Sequence, residues 1–299
     1  MKFTIAIPTY NNDDVLEKAI NSAIHQSYKD PYEVLVVDNC SSDNTPKIIN
    51  KFHDKICVIR NEKTVSQFKN HNICLENAKG DYVVFCHSDD ELIPNSLDKY
   101  FSILKQRNFP EKFILWGRSM FNDFYSNWNN GGFYLNEIAS GKNALNCFKL
   151  GGITPSGTCY SRTSFLKFGG FYEMNTATSP SDLVTMWGLC FDFFEFEMSD
   201  RIFFSRYFAT IAGPESKIND YNAILDAIKV TNDKLSTEHF RILIDNFLKF
   251  DRYINPLIIK VILKEKLFSK FKIRLKLIKF FLNNPYLLIR KEYLKLLFI

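Results

Sequence analysis

Glycine and proline are scarce in this chain, 12 and 10 among 299 residues, and neither recurs with a fixed period. That excludes a collagen-like repeat and a Pro/Gly-rich disordered tract. Glycine cradles for phosphate are missing too: neither G-x-x-x-x-G-K-[ST] nor G-x-G-x-x-G occurs. The seven cysteines are an odd number and none forms a C-x-x-C pair. Several sit in apolar runs, as Cys86 does after Val83-Val84-Phe85, which reads as buried free thiols in a reducing compartment. The five histidines (25, 53, 71, 87 and 239) offer no H-E-x-x-H or zinc spacing. No run of 18 or more apolar residues exists, so no bilayer span is expected. Met1-Lys2 leads straight into an alternating strand, which predicts no secretory signal and a cytoplasmic location.

What is present is the composition of a globular chain, 46% hydrophobic and 24% charged, with 29 Phe against 3 Trp. A chain of this length buries roughly three quarters of its unfolded surface, which suits one large domain with an appendage, or two domains. The net charge of +5 is unevenly spread: residues 249–299 hold 13 Lys and Arg against Asp251, Glu265 and Glu292. The rest of the chain is therefore mildly acidic. A basic tail on an acidic body points to an anionic partner for the tail.

The first hundred residues alternate strand and helix. Phe3 to Pro8 is a short β-rich run, and Asn12 and Asp13 are N-cap residues for a helix with Val15, Leu16, Ala19, Ile20, Ala23 and Ile24 on one face. Glu33 to Val37 reads as a buried strand, and Thr45-Pro46 as a cap followed by proline at the first helical position. A strand over Ile56 to Ile59, a helix over Ser66 to Asn77 and a strand over Tyr82 to Cys86 follow. Strands separated by helices of about ten residues form βαβ units and a mostly parallel sheet covered on both faces. Beyond Asp90 the pattern loosens. It predicts a helix over 95–107, a strand from Phe113 to Gly117, hairpin material over 119–135, a helix near 141–149, a Gly169-Gly170-Phe171 turn, a helix over 182–190 and a strand over 201–208. From about 218 only helical pattern with Lys and Arg remains, so the expected division is 1–215 and 216–299.

In open α/β sheets ligands collect beyond the carboxyl ends of the strands, near the topological switch point. Three loops fall there: 8–12, 38–45 and 87–90. Structural readings stand beside functional ones. Asp38 caps a turn, Asp43 or Thr45 caps the next helix, and Asp89-Asp90 favour the dipole of the helix after Pro94. Two adjacent acids at a strand end nevertheless repel each other, which a structural role does not require. A hard divalent cation with oxygen ligands, Mg²⁺ or Mn²⁺, removes that cost.

The run TIAIPTYNNDDVLEKAINSAIHQSYKDPYEVLVVDNCSSDNT (4–45), followed by NAKGDYVVFCHSDDELIPNSL (77–97), closely resembles the family 2 inverting glycosyltransferases of the GT-A fold. The resemblance covers roughly 3–210 and is densest up to Leu97. It implies a Rossmann-like central sheet flanked by helices, with 1–97 as the nucleotide-binding half, 98–215 as the acceptor half and 216–299 as a basic helical extension. It also implies transfer of a sugar from a nucleotide-sugar, usually a UDP-sugar, with inversion. By position, Pro8, Thr9, Tyr10 and Asn11 would line the nucleotide pocket, and Asp38 would accept a hydrogen bond from the base. Asn72 matches the last position of the family's A-R-N element, with His71 where arginine is usual. Ser88-Asp89-Asp90 matches the end of the D-S-D-D motif, with Asp89 as metal ligand, Ser88 and Asp90 beside the donor, and His87 in place of the first acid. Gly169 to Glu173 resembles the G-G-F-D-E segment. Ser181-Asp182 resembles the E-D pair that supplies the catalytic base, leaving Asp182 as the candidate.

The processive Q-x-x-R-W element is absent, which favours addition of a single sugar over polymerisation. In the tail, basic residues alternate with clusters such as Leu257-Ile258-Ile259 and Phe280-Phe281-Leu282. Amphipathic basic helices lie on anionic membrane surfaces, which suits a lipid-linked saccharide acceptor on the cytoplasmic face of the inner membrane. The other readings are a helical subdomain packed on the catalytic domain or on a second subunit of a homo-oligomer. Nucleic-acid binding is disfavoured, since no recognised module frames these charges. Two alternatives to the transferase remain: a nucleotidyltransferase, against which the missing G-x-G-[ST]-R loop counts, and a catalytically inactive sugar-nucleotide or glycan-binding module.

Overall fold

The computed structural model describes residues 2–119, 139–140, 155–173, 185–186, 188–190, 192 and 194–205, together with the isolated positions 278 and 282. The chain divides into two compact units, Met1–Ala223 and Ile224–Ile299. The expected hairpin over 119–135, the helix over 141–149, Asp182 and essentially all of the basic tail lie outside the described residues.

Strands β1 (Phe3–Thr9) and β2 (Glu33–Asp38) are buried along their whole length, as expected of parallel strands covered on both faces. They pair in parallel, and β1 also pairs in parallel with β4 (Tyr82–Phe85), while β3 (Cys57–Arg60) joins the outer side of β2. The connecting helices are α1 (Leu16–Ile24), α2 (Thr45–Asn50) and α3 (Gln67–Asn77). Successive connections carry the chain from β1 outward to β2 and β3, then back across β1 to β4. The order 3-2-1-4 therefore reverses direction between β1 and β4, and that is where an open α/β sheet has its crevice.

On the other side of β4 the sheet continues through β8 (Cys159–Ser161), antiparallel to β4, then β6 (Phe113–Ser119) and β9 (Glu195–Ser205), which are parallel to each other. Strand β5 (Asp90–Leu92) and the short β7 (Ala139–Ser140) pair with β9. Helix α4 (Ser96–Gln106) leads into β6 and α5 (Arg162–Phe168) follows β8 without a loop. Three residues of β8 are too few to carry a period, which is why the sequence pattern did not reveal it. Strand β9 begins six residues before the predicted 201–208 segment.

The apolar face expected of the first helix is buried at Leu16, Ala19, Ile20 and Ala23. Those side chains join Phe3, Ile5 and Val36 in one core cluster. The amino-terminal edge of the sheet is closed by a polar plug. Thr4 donates to Glu33 at 2.7 Å, and the backbone N–H groups of Lys79 and Gly80 donate to Glu33 and Thr4 at 2.9 and 2.8 Å. With that edge sealed, the opposite edge carries the loops. Among the described residues no helix is long and apolar enough to cross a membrane.

Candidate functional site

Parallel register places three strand ends side by side: Thr9 lies opposite Asp38, and Asp38 opposite Arg60. The loops that follow β1 and β2 are laced together. Asn11 adopts a left-handed backbone (φ 48°), its N–H donating to Ser41 Oγ at 2.9 Å while its side-chain oxygen accepts from Ser42 N–H at 2.9 Å. Asn12 N–H donates to Thr45 Oγ1 at 3.0 Å, and Asp13 accepts from Asn44 N–H at 3.2 Å. Asn12, Asp13 and Thr45 carry the signature of helix caps, yet none caps its helix. Helix α1 starts at Leu16 with no side-chain cap, and α2 begins at Thr45 itself. The capping groups are spent on fixing one loop against the other.

Asp38 is 1% exposed, and both of its oxygens are engaged. Oδ1 accepts from Ser41 N–H at 3.0 Å, and Oδ2 pairs with the Arg60 guanidinium, which also donates to the Ser41 carbonyl at 2.8 Å. Arg60, which the sequence reading left aside, thus braces both Asp38 and its loop. Behind this pair sits a ladder of amides. Asn39 donates to the Val65 carbonyl and accepts from Val65 N–H, both at 2.9 Å. Asn61 Nδ2 lies 2.9 Å from the side-chain oxygens of both Asn39 and Asn70, and Asn70 donates to the Val37 carbonyl at 3.1 Å. Buried amides are tolerated when paired in this way. Thr9 supplies the contrast, since its Oγ1 is buried and has no partner among the described residues. A buried hydroxyl without a partner at a loop-facing strand end is a group that a structural role leaves unexplained. Pro8 is buried within β1, and Tyr10, 47% exposed, stands out from the loop.

The third loop leaves β4 beside the first. His87 N–H donates to Ser156 Oγ at 3.0 Å, Asp90 N–H to the His87 carbonyl at 3.0 Å, and Asn12 Nδ2 to Ser88 Oγ. This compact turn brings together one ligand atom each from His87, Asp89 and Asp90, all within 4.8 Å of one another. His87 and Asp89 are half-buried and Asp90 is buried. One imidazole nitrogen and two carboxylates fit a divalent cation such as Mn²⁺. Sequence reasoning named Asp89 as the metal ligand and set His87 and Asp90 beside it, but did not find what stands behind them.

Behind His87 lies His71 of α3, 2% exposed. Its Nδ1 is 2.8 Å from the Gln67 carbonyl and its Nε2 is 3.1 Å from His87 Nε2. Its ring stacks on Phe85 (centroids 5.3 Å apart, 26°) and meets Phe171 edge-on (5.6 Å). Burial, with the neighbouring His87 acting in the same direction, pushes its pKa down to about 3, so it is neutral at ordinary pH.

Asn72, the next residue of α3, faces a different element. Its amide donates to the Phe171 carbonyl and accepts from Phe171 N–H, both at 2.8 Å, holding the Gly169-Gly170-Phe171 turn against the helix. Gly169 (φ 105°) closes α5 in the left-handed region, and a Cβ at Gly170 (φ 70°) would lie 2.5 Å from Asn72 Oδ1. Asn72 thus acts here as a clamp, with its amide committed to backbone. The structure brings together Thr9, Asn11, Asp38, Ser88 and the His87–Asp89–Asp90 group along one sheet edge. It says nothing of Asp182, which lies outside the described residues.

A parallel 3-2-1-4 core with laced loops at its carboxyl edge, extended by mixed strands, is the GT-A architecture. It matches Mannosyltransferase PcManGT from Pyrobaculum calidifontis, solved with GDP-Man and Mn²⁺, at a TM-score of 0.59 and 15% identity over 99% of this chain and 83% of that one. Residues 4–165 match Glycosyl transferase family 2, and the chain belongs to that family. Among relatives, it is 34% identical over 101 residues to the poly(ribitol-phosphate) beta-N-acetylglucosaminyltransferase TarS of Staphylococcus aureus, a segment covering 32% of this chain and 18% of TarS. TarS residues 1–349 in complex with UDP superpose at a TM-score of 0.58 with 23% identity, covering 83% of this chain and 71% of that one. The UDP-Glc:alpha-D-GlcNAc-diphosphoundecaprenol beta-1,3-glucosyltransferase WfgD of Escherichia coli is 33% identical over 106 residues, 35% of this chain and 42% of WfgD. The matched segments thus span less than half the length of either relative.

Proposed function

We propose that this protein transfers a single sugar, with inversion, from a UDP-sugar to a hydroxyl of a lipid-linked or surface-polysaccharide saccharide. The observation that carries the reading is the sheet edge at the β1/β4 crevice. There the unpaired Thr9 hydroxyl, the Asp38–Arg60 pair and the His87, Asp89 and Asp90 ligand atoms converge. Polar groups at the ends of β1 and β2 and a cation-binding group at the end of β4, with β1 between β2 and β4, are the kinds of groups a nucleoside diphosphate requires. The UDP bound by TarS and the UDP-Glc donor in the name of WfgD support a UDP-linked donor, and their names, which carry poly(ribitol-phosphate) and GlcNAc-diphosphoundecaprenol, support a polymer or lipid-linked acceptor.

In this reading residues 1–97 hold the nucleotide and 98–215 the acceptor. Thr9 and Asn11 seat the nucleoside against the laced loops, and Asp38, buried with both oxygens engaged, braces those loops from beneath rather than meeting the base as the resemblance implied. Mn²⁺ or Mg²⁺ bound at Asp89, with His87 and Asp90 beside it, would offset the negative charge of the leaving diphosphate, a contribution of several kcal/mol. Asp182 accepts the proton of the acceptor hydroxyl as that oxygen bonds the anomeric carbon and the bond to the diphosphate breaks. General-base assistance of this kind contributes about 10²–10⁴-fold. A single in-line displacement with no enzyme nucleophile inverts the anomeric centre, by the logic of inverting glycosidases. The basic segment 250–299 would hold the protein on an anionic membrane surface, on the cytoplasmic side, near a lipid-linked acceptor.

The competing reading, an inactive sugar-nucleotide-binding module, draws on His87 in place of an acid. A screen of nucleotide-sugars for UDP release in Mn²⁺ separates the two. Metal-dependent release that falls about 10²–10⁴-fold in Asp182→Asn, with UDP binding retained, is the expected result. Binding without turnover of any donor, with or without saccharide acceptors, would leave the module.

A further inference from the structure

The His71–His87 contact does more than fill space. We propose that His71 is a positioning residue that keeps the proton on His87 Nε2, so that His87 Nδ1 offers its lone pair to a cation held with Asp89 and Asp90, which biases the site toward Mn²⁺ over Mg²⁺. This rests on the metal-assisted reading above and adds to it a tautomer, a ligand atom and an ion preference.

The hydrogen-bond directions lead there. A backbone carbonyl only accepts, so the 2.8 Å contact from His71 Nδ1 to the Gln67 oxygen makes Nδ1 the protonated nitrogen. Between His71 Nε2 and His87 Nε2, 3.1 Å apart, there is room for one hydrogen. If it belonged to His71, that ring would carry both hydrogens and be a cation. Its surroundings are Phe68, Phe85 and Phe171, with centroids 5.3, 5.3 and 5.6 Å away, and it is 2% exposed. A buried charge without a counter-charge is strongly disfavoured, so the hydrogen belongs to His87. With Nε2 protonated, the lone pair of a neutral His87 is on Nδ1.

A metal-binding imidazole whose other N–H meets an acceptor is oriented and made more basic, and loss of such an acceptor costs about 10–100-fold in affinity. Here the acceptor is itself an imidazole, fixed by Gln67 and three aromatic rings. The donor set is then one nitrogen and two carboxylate oxygens. Mg²⁺ selects oxygen and near-ideal octahedra, whereas imidazole suits later first-row ions, with Mn²⁺ between the two. A neutral ring in place of a third carboxylate also removes one negative charge from a site that would hold a hard ion mainly by charge.

The test uses the full-length chain stripped by chelator and titrated with Mn²⁺ or Mg²⁺ in the presence of UDP. Mn²⁺ binding is followed by electron paramagnetic resonance, and metal–nitrogen coupling by spin-echo modulation on protein labelled with ¹⁵N-histidine. The expected results are a histidine-nitrogen coupling that vanishes in His87→Asp, and a Mn²⁺/Mg²⁺ affinity ratio at least about tenfold higher than in His87→Asp. His71→Phe, which keeps an aromatic ring but no acceptor, should weaken Mn²⁺ by about 10–100-fold, and His71→Gln, whose amide oxygen can accept, should recover most of that loss. The proposal is overturned if wild type shows no nitrogen coupling, or if folded His71→Phe binds Mn²⁺ as wild type does. Should His71→Phe fail to fold, the coupling and the ion ratio of wild type against His87→Asp decide alone. Asp89→Asn keeps the two readings apart. Loss of binding there without nitrogen coupling in wild type leaves the metal reading standing and removes this one, while unchanged binding in Asp89→Asn removes both.

Discussion

The Asp38–Arg60 pair is where the fold and the proposed nucleotide pocket depend on each other most directly. Asp38 is a nearly inaccessible carboxylate with two engagements, the Ser41 N–H at 3.0 Å and the Arg60 guanidinium. Arg60 itself is 45% exposed at its side chain. Removal of the arginine strands a buried charge, which costs about 3–5 kcal/mol when nothing else reaches it. The remaining Ser41 N–H and water near the half-exposed partner reduce that, so Arg60→Met should cost about 2–3 kcal/mol. Asp38→Asn keeps an acceptor for Ser41 and releases an arginine that can hydrate, so about 1–2 kcal/mol is expected, the range of a single charged hydrogen bond. In the double variant no charge is stranded, and the costs should fall short of additive by about 1–2 kcal/mol. Urea unfolding of the four proteins measures the cycle, and calorimetry with UDP measures how far each loosens the pocket. Strict additivity within about 0.5 kcal/mol would refute the claim that the two residues act as one unit.

Thr9→Val removes a hydroxyl with no partner among the described residues, so stability without nucleotide should stay level or rise while UDP binds about tenfold more weakly; equal UDP affinity would take Thr9 out of the proposed pocket. Gly170→Ala places a methyl group 2.5 Å from Asn72 Oδ1 at a φ of 70°, and should cost about 1–3 kcal/mol in urea unfolding. The opposite result, a stabilised protein, would mean that the Asn72 clamp is not closed. His71 predicts acid sensitivity of the metal-free fold. Its folded pKa is about 3 against about 6.5 unfolded, so the histidine adds no pH dependence above 6.5. Below that the unfolded chain takes up a proton that the folded one refuses, and the folding equilibrium loses about tenfold per pH unit down to about pH 3. His71→Phe should flatten that slope between pH 6 and 4, and identical slopes in the two proteins would contradict the burial argument.

The parallel half of the sheet was legible because its strands are continuous apolar runs and its helices carry apolar faces; α1 buries the residues that its spacing singled out. The mixed half was legible only in part: α4 and β6 fall where the pattern placed them. Strand β8 has three residues and α5 starts at the next one, so neither leaves a period to read. Within the candidate site, position in the motif singled out Thr9, Asp38 and Asp89, because strand-end carboxylates and hydroxyls are visible in sequence, and the structure places Thr9 and Asp38 side by side at strand ends. Arg60 and His71 were hidden for different reasons. Arg60 ends an edge strand with no motif, and its meaning comes only from its register opposite Asp38. His71 was noticed as a departure, but its role depends on a contact across 16 residues. Asn12, Asp13 and Thr45 misled for an instructive reason: cap-forming side chains are also the ones able to lace two loops, and here the loops claim them.

The most direct measurement is titration calorimetry of UDP into chelator-stripped protein before and after Mn²⁺ is restored. A cation-assisted grip on pyrophosphate at the β1/β4 crevice predicts weak or absent binding without metal and a clear heat of binding once it returns, lost again in Asp89→Asn. No heat for any nucleoside diphosphate with Mn²⁺ present, or an affinity indifferent to the chelator, would contradict the account.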